Sequence, residues 1–145
     1  MGTRYHGWQK QPDRISVQFE VSKALQTALQ EPVNVVGAGR TDTGVHASEY
    51  VAHFDINHII TDTEQLIFKL NSLLPNDIAV HDVMIANEDF HARFDALSRT
   101  YEYSIIQSKD PFLIERSYFI KNKLDYNLEK SLKNLVSNRK IFDTK

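Results

Sequence analysis

The stretch Val36-Gly37-Ala38-Gly39-Arg40-Thr41-Asp42-Thr43-Gly44-Val45-His46-Ala47 sets one carboxylate inside a glycine-punctuated loop with apolar residues on either side. Glycine adopts positive φ without steric penalty and lets the backbone approach other groups closely, so a sharply turned loop is predicted, with Asp42 at a bend. Two phosphate-binding loops compete for these letters. The dinucleotide fingerprint Gly-x-Gly-x-x-Gly would begin at Gly37 and Gly39 but needs glycine where Asp42 stands, and a carboxylate there repels a pyrophosphate. The P-loop spacing fits Gly39 and Gly44, yet Val45 and His46 occupy the positions of its lysine and hydroxyl residue. Two readings remain: an ordinary turn in which Asp42 satisfies nearby N–H groups, or a loop that presents a functional carboxylate.

Working outward, residues 33–36 read as a short apolar strand entering the loop. Tyr50, Ala52 and Phe54, alternating with Val51 and His53, read as a strand leaving it. Upstream, Ser16 is a helix N-cap, and Val17, Val21, Ala24, Leu25, Ala28 and Leu29 recur at helical spacing until Pro32. Downstream, Thr61-x-x-Glu64 has capping-box form, and Leu66, Leu70, Leu73 and Leu74 form one helical face ending at Pro75-Asn76-Asp77. A strand is predicted over 78–85. From Arg99 another follows, with Tyr101, Tyr103 and Ile105 on one side and Thr100, Glu102 and Ser104 on the other. A last helix fits Asp125 as N-cap with Leu128, Leu132, Leu135 and Val136 as its buried stripe. This order predicts an α+β fold: an antiparallel sheet with helices on one face, in the split βαβ (ferredoxin-like) arrangement. An open sheet face carrying aromatic residues suits stacking on unpaired bases.

At 145 residues the chain has room for one core and is expected to be a single domain, 1–145. Its 41% hydrophobic and 25% charged residues are those of a globular chain. Cysteine is absent, and the six histidines show no chelating spacing, so neither a disulfide nor a metal site is expected. No cofactor motif survives the comparison of letters above. A net charge of −2 makes any RNA contact local. Candidates are Arg40, Arg93 and Arg99, with Arg4, Lys10 and Arg14 near the start, each weighed against a solvated surface charge. No apolar stretch reaches membrane-spanning length and no secretion signal opens the chain, so a cytoplasmic protein is expected.

Three stretches in register resemble the tRNA pseudouridine synthase A family. Gly39-Arg40-Thr41-Asp42-Thr43-Gly44-Val45-His46-Ala47 is similar to its Gly-Arg-Thr-Asp-x-Gly-Val-His-Ala signature. Tyr5-His6-Gly7-Trp8-Gln9-Lys10-Gln11 resembles its aromatic-x-Gly-Trp-Gln-x-Gln segment. Phe90-His91-Ala92-Arg93-Phe94, followed by Arg99-Thr100-Tyr101-Glu102-Tyr103, resembles its Phe-His-Ala-Arg-Phe and Arg-x-Tyr-x-Tyr stretches. The resemblance implies an isomerase without cofactor or metal, converting uridine to pseudouridine at positions 38–40 of the tRNA anticodon stem-loop, as a homodimer. Asp42 matches the catalytic aspartate, which acts either as a nucleophile on ring or sugar or as a base. An ionised Asp42 calls for a neighbouring cation. By the same resemblance Arg40 contacts RNA and supports the flipped nucleotide, and Tyr101 stacks on the uracil. Tyr103 is then a buried strand residue, and Arg93 and Arg99 approach phosphates or serve the surface. Thr41, Thr43, Gly44 and His46 shape the loop.

The resemblance runs from about Gly2 to about Val136. The family has an apolar strand before its first motif, where Met1-Gly2 stands here, and later Gly-x-His-Asp-Phe, Gly-Phe-Leu and Met-Val-Arg motifs. This chain ends Ser137-Asn138-Arg139-Lys140-Ile141-Phe142-Asp143-Thr144-Lys145. It therefore reads as the N-terminal catalytic half, truncated at both ends, without the arginine that pairs with the family's aspartate. The truncation is expected to expose apolar surface, and the alternative reading is a non-catalytic RNA-binding remnant.

Overall fold

In a computed structural model of the chain, which describes residues 1–122, Ser16 opens helix α1 (Val17–Leu29) as predicted. Its buried hydroxyl accepts from the Phe19 amide at 3.3 Å, satisfying one of the N–H groups that a helix start leaves unpaired. The apolar spacing buries Ala24 and Leu25, and the helix ends at Gln30 in the left-handed region, φ 58°. The Gln30 amide donates back to the Gln26 carbonyl, a closure that glycine more often provides.

Strands β1 (Val35–Gly37) and β2 (Ala52–Phe54) form an antiparallel pair with Val35 opposite Phe54, Val36 opposite His53 and Gly37 opposite Ala52. Residues 38–51 therefore form the loop of a long hairpin. The Gln18 side chain ties α1 to this hairpin by donating to the Val35 carbonyl at 2.7 Å. Helix α2 (Thr63–Leu73) packs against α1, and Leu66, Leu70 and Leu74 join Trp8, Ala24, Leu25, Val33 and Val35 in one buried cluster. Burying each large aliphatic side chain there contributes roughly 1.5–3 kcal/mol.

Two predicted details of α2 are corrected. The N-cap is Asp62, whose carboxylate accepts from the Gln65 amide at 2.8 Å; Thr61 lies outside the helix. Leu73 is 47% exposed, because the buried stripe follows the i, i+4 spacing of Leu66, Leu70 and Leu74. The strand predicted over 78–85 does not form. Instead the Asn71 side chain acts as a strand neighbour for one residue: the Val80 amide donates to Asn71 Oδ1 at 2.7 Å and Asn71 Nδ2 donates to the Val80 carbonyl at 2.8 Å. Met84 and Ile85 are exposed.

Residues 1–96 make one compact unit, and a second begins at Leu97. In the second, β3 (Ile105–Ile106) and β4 (Tyr118–Phe119) pair in parallel, departing from the expected all-antiparallel sheet. The strand predicted from Arg99 contracts to β3, whose neighbour among the described residues is β4 alone. Periodicity marks an extended chain but does not supply the neighbour whose N–H and C=O groups complete it. The described elements are those of an α+β fold, and the predicted last helix lies outside the described residues. No helix among the described residues is long and apolar enough to cross a membrane.

Candidate active site

The hairpin loop is held through its backbone and through its Thr41 and His46 side chains. Residues 2–8 run beside it and supply three hydrogen bonds: Gly44 N–H to the Tyr5 carbonyl at 3.1 Å, Trp8 N–H to Thr41 Oγ1 at 3.0 Å, and Gly2 N–H to His46 Nδ1 at 3.0 Å. The approach is close enough to require glycine. A Cβ on Gly7, which sits at φ +78°, would lie 2.0 Å from the Thr41 carbonyl oxygen. Thus the Tyr5-His6-Gly7-Trp8 segment and the Asp42 loop, distant in sequence, form one structural element.

A second brace comes from the loop's own exit. Tyr50 stacks on Trp8 with ring centroids 4.2 Å apart, and its hydroxyl both accepts from the Gly39 amide and donates to the Gly39 carbonyl. Ala38 N–H extends the hairpin by donating to the Val51 carbonyl at 2.9 Å. Such stacked pairs contribute about 0.5–1.5 kcal/mol beyond their burial.

Within this frame residues 42–45 form a turn in which Val45 N–H donates to the Asp42 backbone carbonyl at 3.3 Å. Gly44 takes the third position at φ +80°, as a type II turn requires. The turn is thus closed by the Asp42 main chain, while its exposed carboxylate is left to face outward. Among the described residues, no local N–H group donates to that carboxylate. The expected cation is not beside it: Arg40 is exposed, and no ion pair among the described residues engages Asp42.

Arg4, one of the candidate RNA contacts, makes an ion pair. Its guanidinium meets Asp77 at 2.8 Å, and the Tyr5 hydroxyl donates to the same carboxylate at 2.7 Å, fastening residues 4 and 5 to the chain just beyond α2. Burial, reinforced by the bond to Asp77, pushes the Tyr5 phenol up to about 12. Burial alone would raise Asp77, but the bonds from Tyr5 and Arg4 outweigh it and hold that carboxyl below its ordinary value. Lys10 lies over the Phe19 ring, 5.7 Å from its centroid.

The Arg93 segment docks on the same hairpin. Ala92, 3% exposed, donates its N–H to His53 Nδ1 on β2 at 3.0 Å, and residues 91–95 form a tight turn with Arg93 exposed. Asp42, Arg40 and Arg93 therefore belong to the first unit, whereas Arg99 and Tyr101 belong to the second. Tyr101 is 49% exposed, and Tyr103, expected to be buried, is 70% exposed because no covered sheet face forms around residues 99–104. The second unit also has a concavity of about 480 Å³, lined by Ser104, Ile105, Ile106, Leu113, Arg116 and Ser117.

Spacing alone did not reveal that Tyr5, Trp8, Tyr50 and His53 build the frame. The available signal was chemical: Tyr and Trp couple an apolar ring to a polar group that needs a partner when buried.

The α+β first unit with its braced, carboxylate-presenting loop defines the class of site. The tRNA pseudouridine synthase family model matches residues 1–95, and the chain belongs to that family. Over 125 residues it is 52% identical to the tRNA pseudouridine synthase A of Bacteroides fragilis, covering 86% of this chain and 50% of that protein. The enzyme of the same name from Porphyromonas gingivalis is 48% identical over 126 residues, 86% of this chain and 50% of that protein. That of Chlamydia felis is 40% identical over 131 residues, 88% and 49% respectively. The chain spans about half the length of these curated relatives.

Proposed function

We propose that this chain carries the catalytic-aspartate half of a tRNA pseudouridine synthase, and that the whole protein isomerises uridine to pseudouridine in the anticodon stem-loop. The bond from ribose C1′ to uracil N1 breaks, the base turns, and C1′ joins C5; C5 loses its proton to solvent and N1 gains one. No electron is exchanged, so no redox cofactor is needed. The observation that carries the reading is the exposed Asp42 carboxylate at a turn whose backbone is pinned from two sides. A reacting group held on a braced loop loses little entropy on reaching its target atom.

In this reading Asp42 attacks or deprotonates, Arg40 contacts RNA and supports the flipped nucleotide, and Tyr101 stacks on the uracil. Arg93 and Arg99 meet phosphates. The first unit then belongs to a split βαβ arrangement, residues 1–145 make a single catalytic half, and the protein acts on tRNA as a cytoplasmic homodimer.

The test is incubation of the chain with unmodified tRNA, followed by carbodiimide labelling and primer extension across the anticodon stem-loop. Stops at uridines there, absent with Asp42→Ala, are expected. Binding of tRNA without any stop would replace this reading with that of an RNA-binding fragment.

A further inference from the structure

His53 stands at the junction of two segments that the proposed function uses separately. On β2 it lies opposite Val36; the next pair is Gly37 with Ala52, and the loop bearing Asp42 follows. Its Nδ1 accepts from Ala92 N–H at 3.0 Å, across 39 residues of sequence. The ring lies 4.7 Å from that of His91 and meets Phe90 edge-on at 6.1 Å.

The turn that His53 holds also carries bonds of its own. His91 Nδ1 accepts from the amides of Arg93 and Phe94 at 3.2 and 3.3 Å, His91 N–H donates to Asp95 Oδ2 at 2.7 Å, and the His91 ring stacks on Phe94. These bonds lie within the turn, whereas the Ala92 amide reaches the sheet, and Ala92 is followed directly by Arg93.

We propose that His53 is a positioning residue that fixes the Arg93 turn to the hairpin bearing Asp42, and so sets where Arg93 meets RNA phosphate. The phosphate contact rests on the proposed function; the attachment of the turn does not. His53 touches no reacting atom and acts through the Ala92 amide.

Two variants separate the roles. His53→Ala removes the acceptor, whereas His53→Asn keeps an oxygen near the place of Nδ1. Amide hydrogen exchange at Ala92 and the backbone order parameter at Arg93 are measured in the full chain, with tRNA affinity across a salt series. H53A is expected to speed Ala92 exchange about tenfold, lower the Arg93 order parameter and weaken tRNA binding about threefold to tenfold, the scale of one hydrogen bond. H53N restores most of each. The salt slope falls by about 0.7–0.9 in Arg93→Ala, as for one lost phosphate contact, and H53A moves it in the same direction. In the R93A background H53A has no further effect on affinity.

Unchanged Ala92 exchange in H53A would overturn the proposal, as would an affinity loss that persists undiminished in R93A. If H53A does not fold, failure of H53N to retain wild-type exchange at Ala92 overturns it equally. A wild-type chain that does not bind tRNA would sink the proposed function, while exchange and order parameters still decide whether His53 holds the turn.

Discussion

The loop around Asp42 and the chain around Tyr101 both carry residues proposed to touch the uridine, yet they are built in opposite ways. The loop is bonded to residues 2–8 and to Tyr50 at Gly39, Thr41, Gly44 and His46, with the Asp42 side chain exposed. Around Tyr101 no strand forms, and Tyr101 and Tyr103 are 49% and 70% exposed. The contrast suits the chemistry proposed for each. A carboxylate that must reach one atom gains from a fixed backbone, whereas stacking accepts any base face and tolerates a looser mount.

The comparison is broken most severely by Asp42→Asn. It should lower uridine conversion on the order of 10⁴-fold, the scale seen when a reacting group is removed. Denaturant midpoints should stay within about 0.5 kcal/mol of wild type, since the exposed side chain carries no packing. Gly7 and Gly44 come next, because both have positive φ but only one is crowded. Gly44→Ala, with nothing within 4 Å of its new Cβ, should cost about 1–2 kcal/mol for backbone conformation alone. Gly7→Ala adds collision with the Thr41 carbonyl and should cost about 3 kcal/mol or more in urea unfolding. Equal costs would mean that residues 2–8 do not clamp the loop. Tyr101→Ala should weaken tRNA binding by about 1–3 kcal/mol in titration while leaving stability unchanged, and Tyr101→Phe should bind as wild type.

The clamp also has a pH signature. The Tyr5 phenol is raised in the folded state to about 12 from an ordinary value of about 10. The folded chain therefore holds this proton more tightly than the unfolded one. Its contribution is complete below about pH 10 and is lost as pH rises toward 12. Asp77, held low, works in the other direction: its contribution is present above the ordinary carboxylate range and is lost as pH falls through its lowered folded value. Tyr5→Phe should flatten the alkaline limb of a stability-against-pH curve; an unchanged limb would separate Tyr5 from the clamp's stability. The smallest expected effect is at α2, where Asp62→Ala should cost about 1 kcal/mol and Thr61→Ala close to nothing in thermal unfolding.

What could be read from the letters depended on how local the physics was. Ser16 and the α1 stripe were legible because a cap and its helix lie within one stretch of chain. The start of α2 was ambiguous by one residue, since Thr61-x-x-Glu64 and Asp62-x-x-Gln65 both have capping-box form. The strand expected over 78–85 failed because Val80 takes its partner from the Asn71 side chain, which leaves no periodic trace. At the candidate site, the glycine turn after Asp42 was legible, because Gly44 can take the positive φ it needs. That the Asp42 carboxylate stands without an ion pair among the described residues was not, since an arginine two positions away guarantees proximity in sequence alone.

The central claim is that Asp42, presented by the braced loop, performs the isomerisation, and tritium release from tRNA labelled at uracil C5 tests it most directly. Wild-type chain and Asp42→Ala are compared at equal tRNA occupancy, checked by filter binding. Release from wild type and none from D42A is the predicted result. Equal release from both would remove Asp42 from the chemistry, and none from wild type would contradict isomerase activity in this chain.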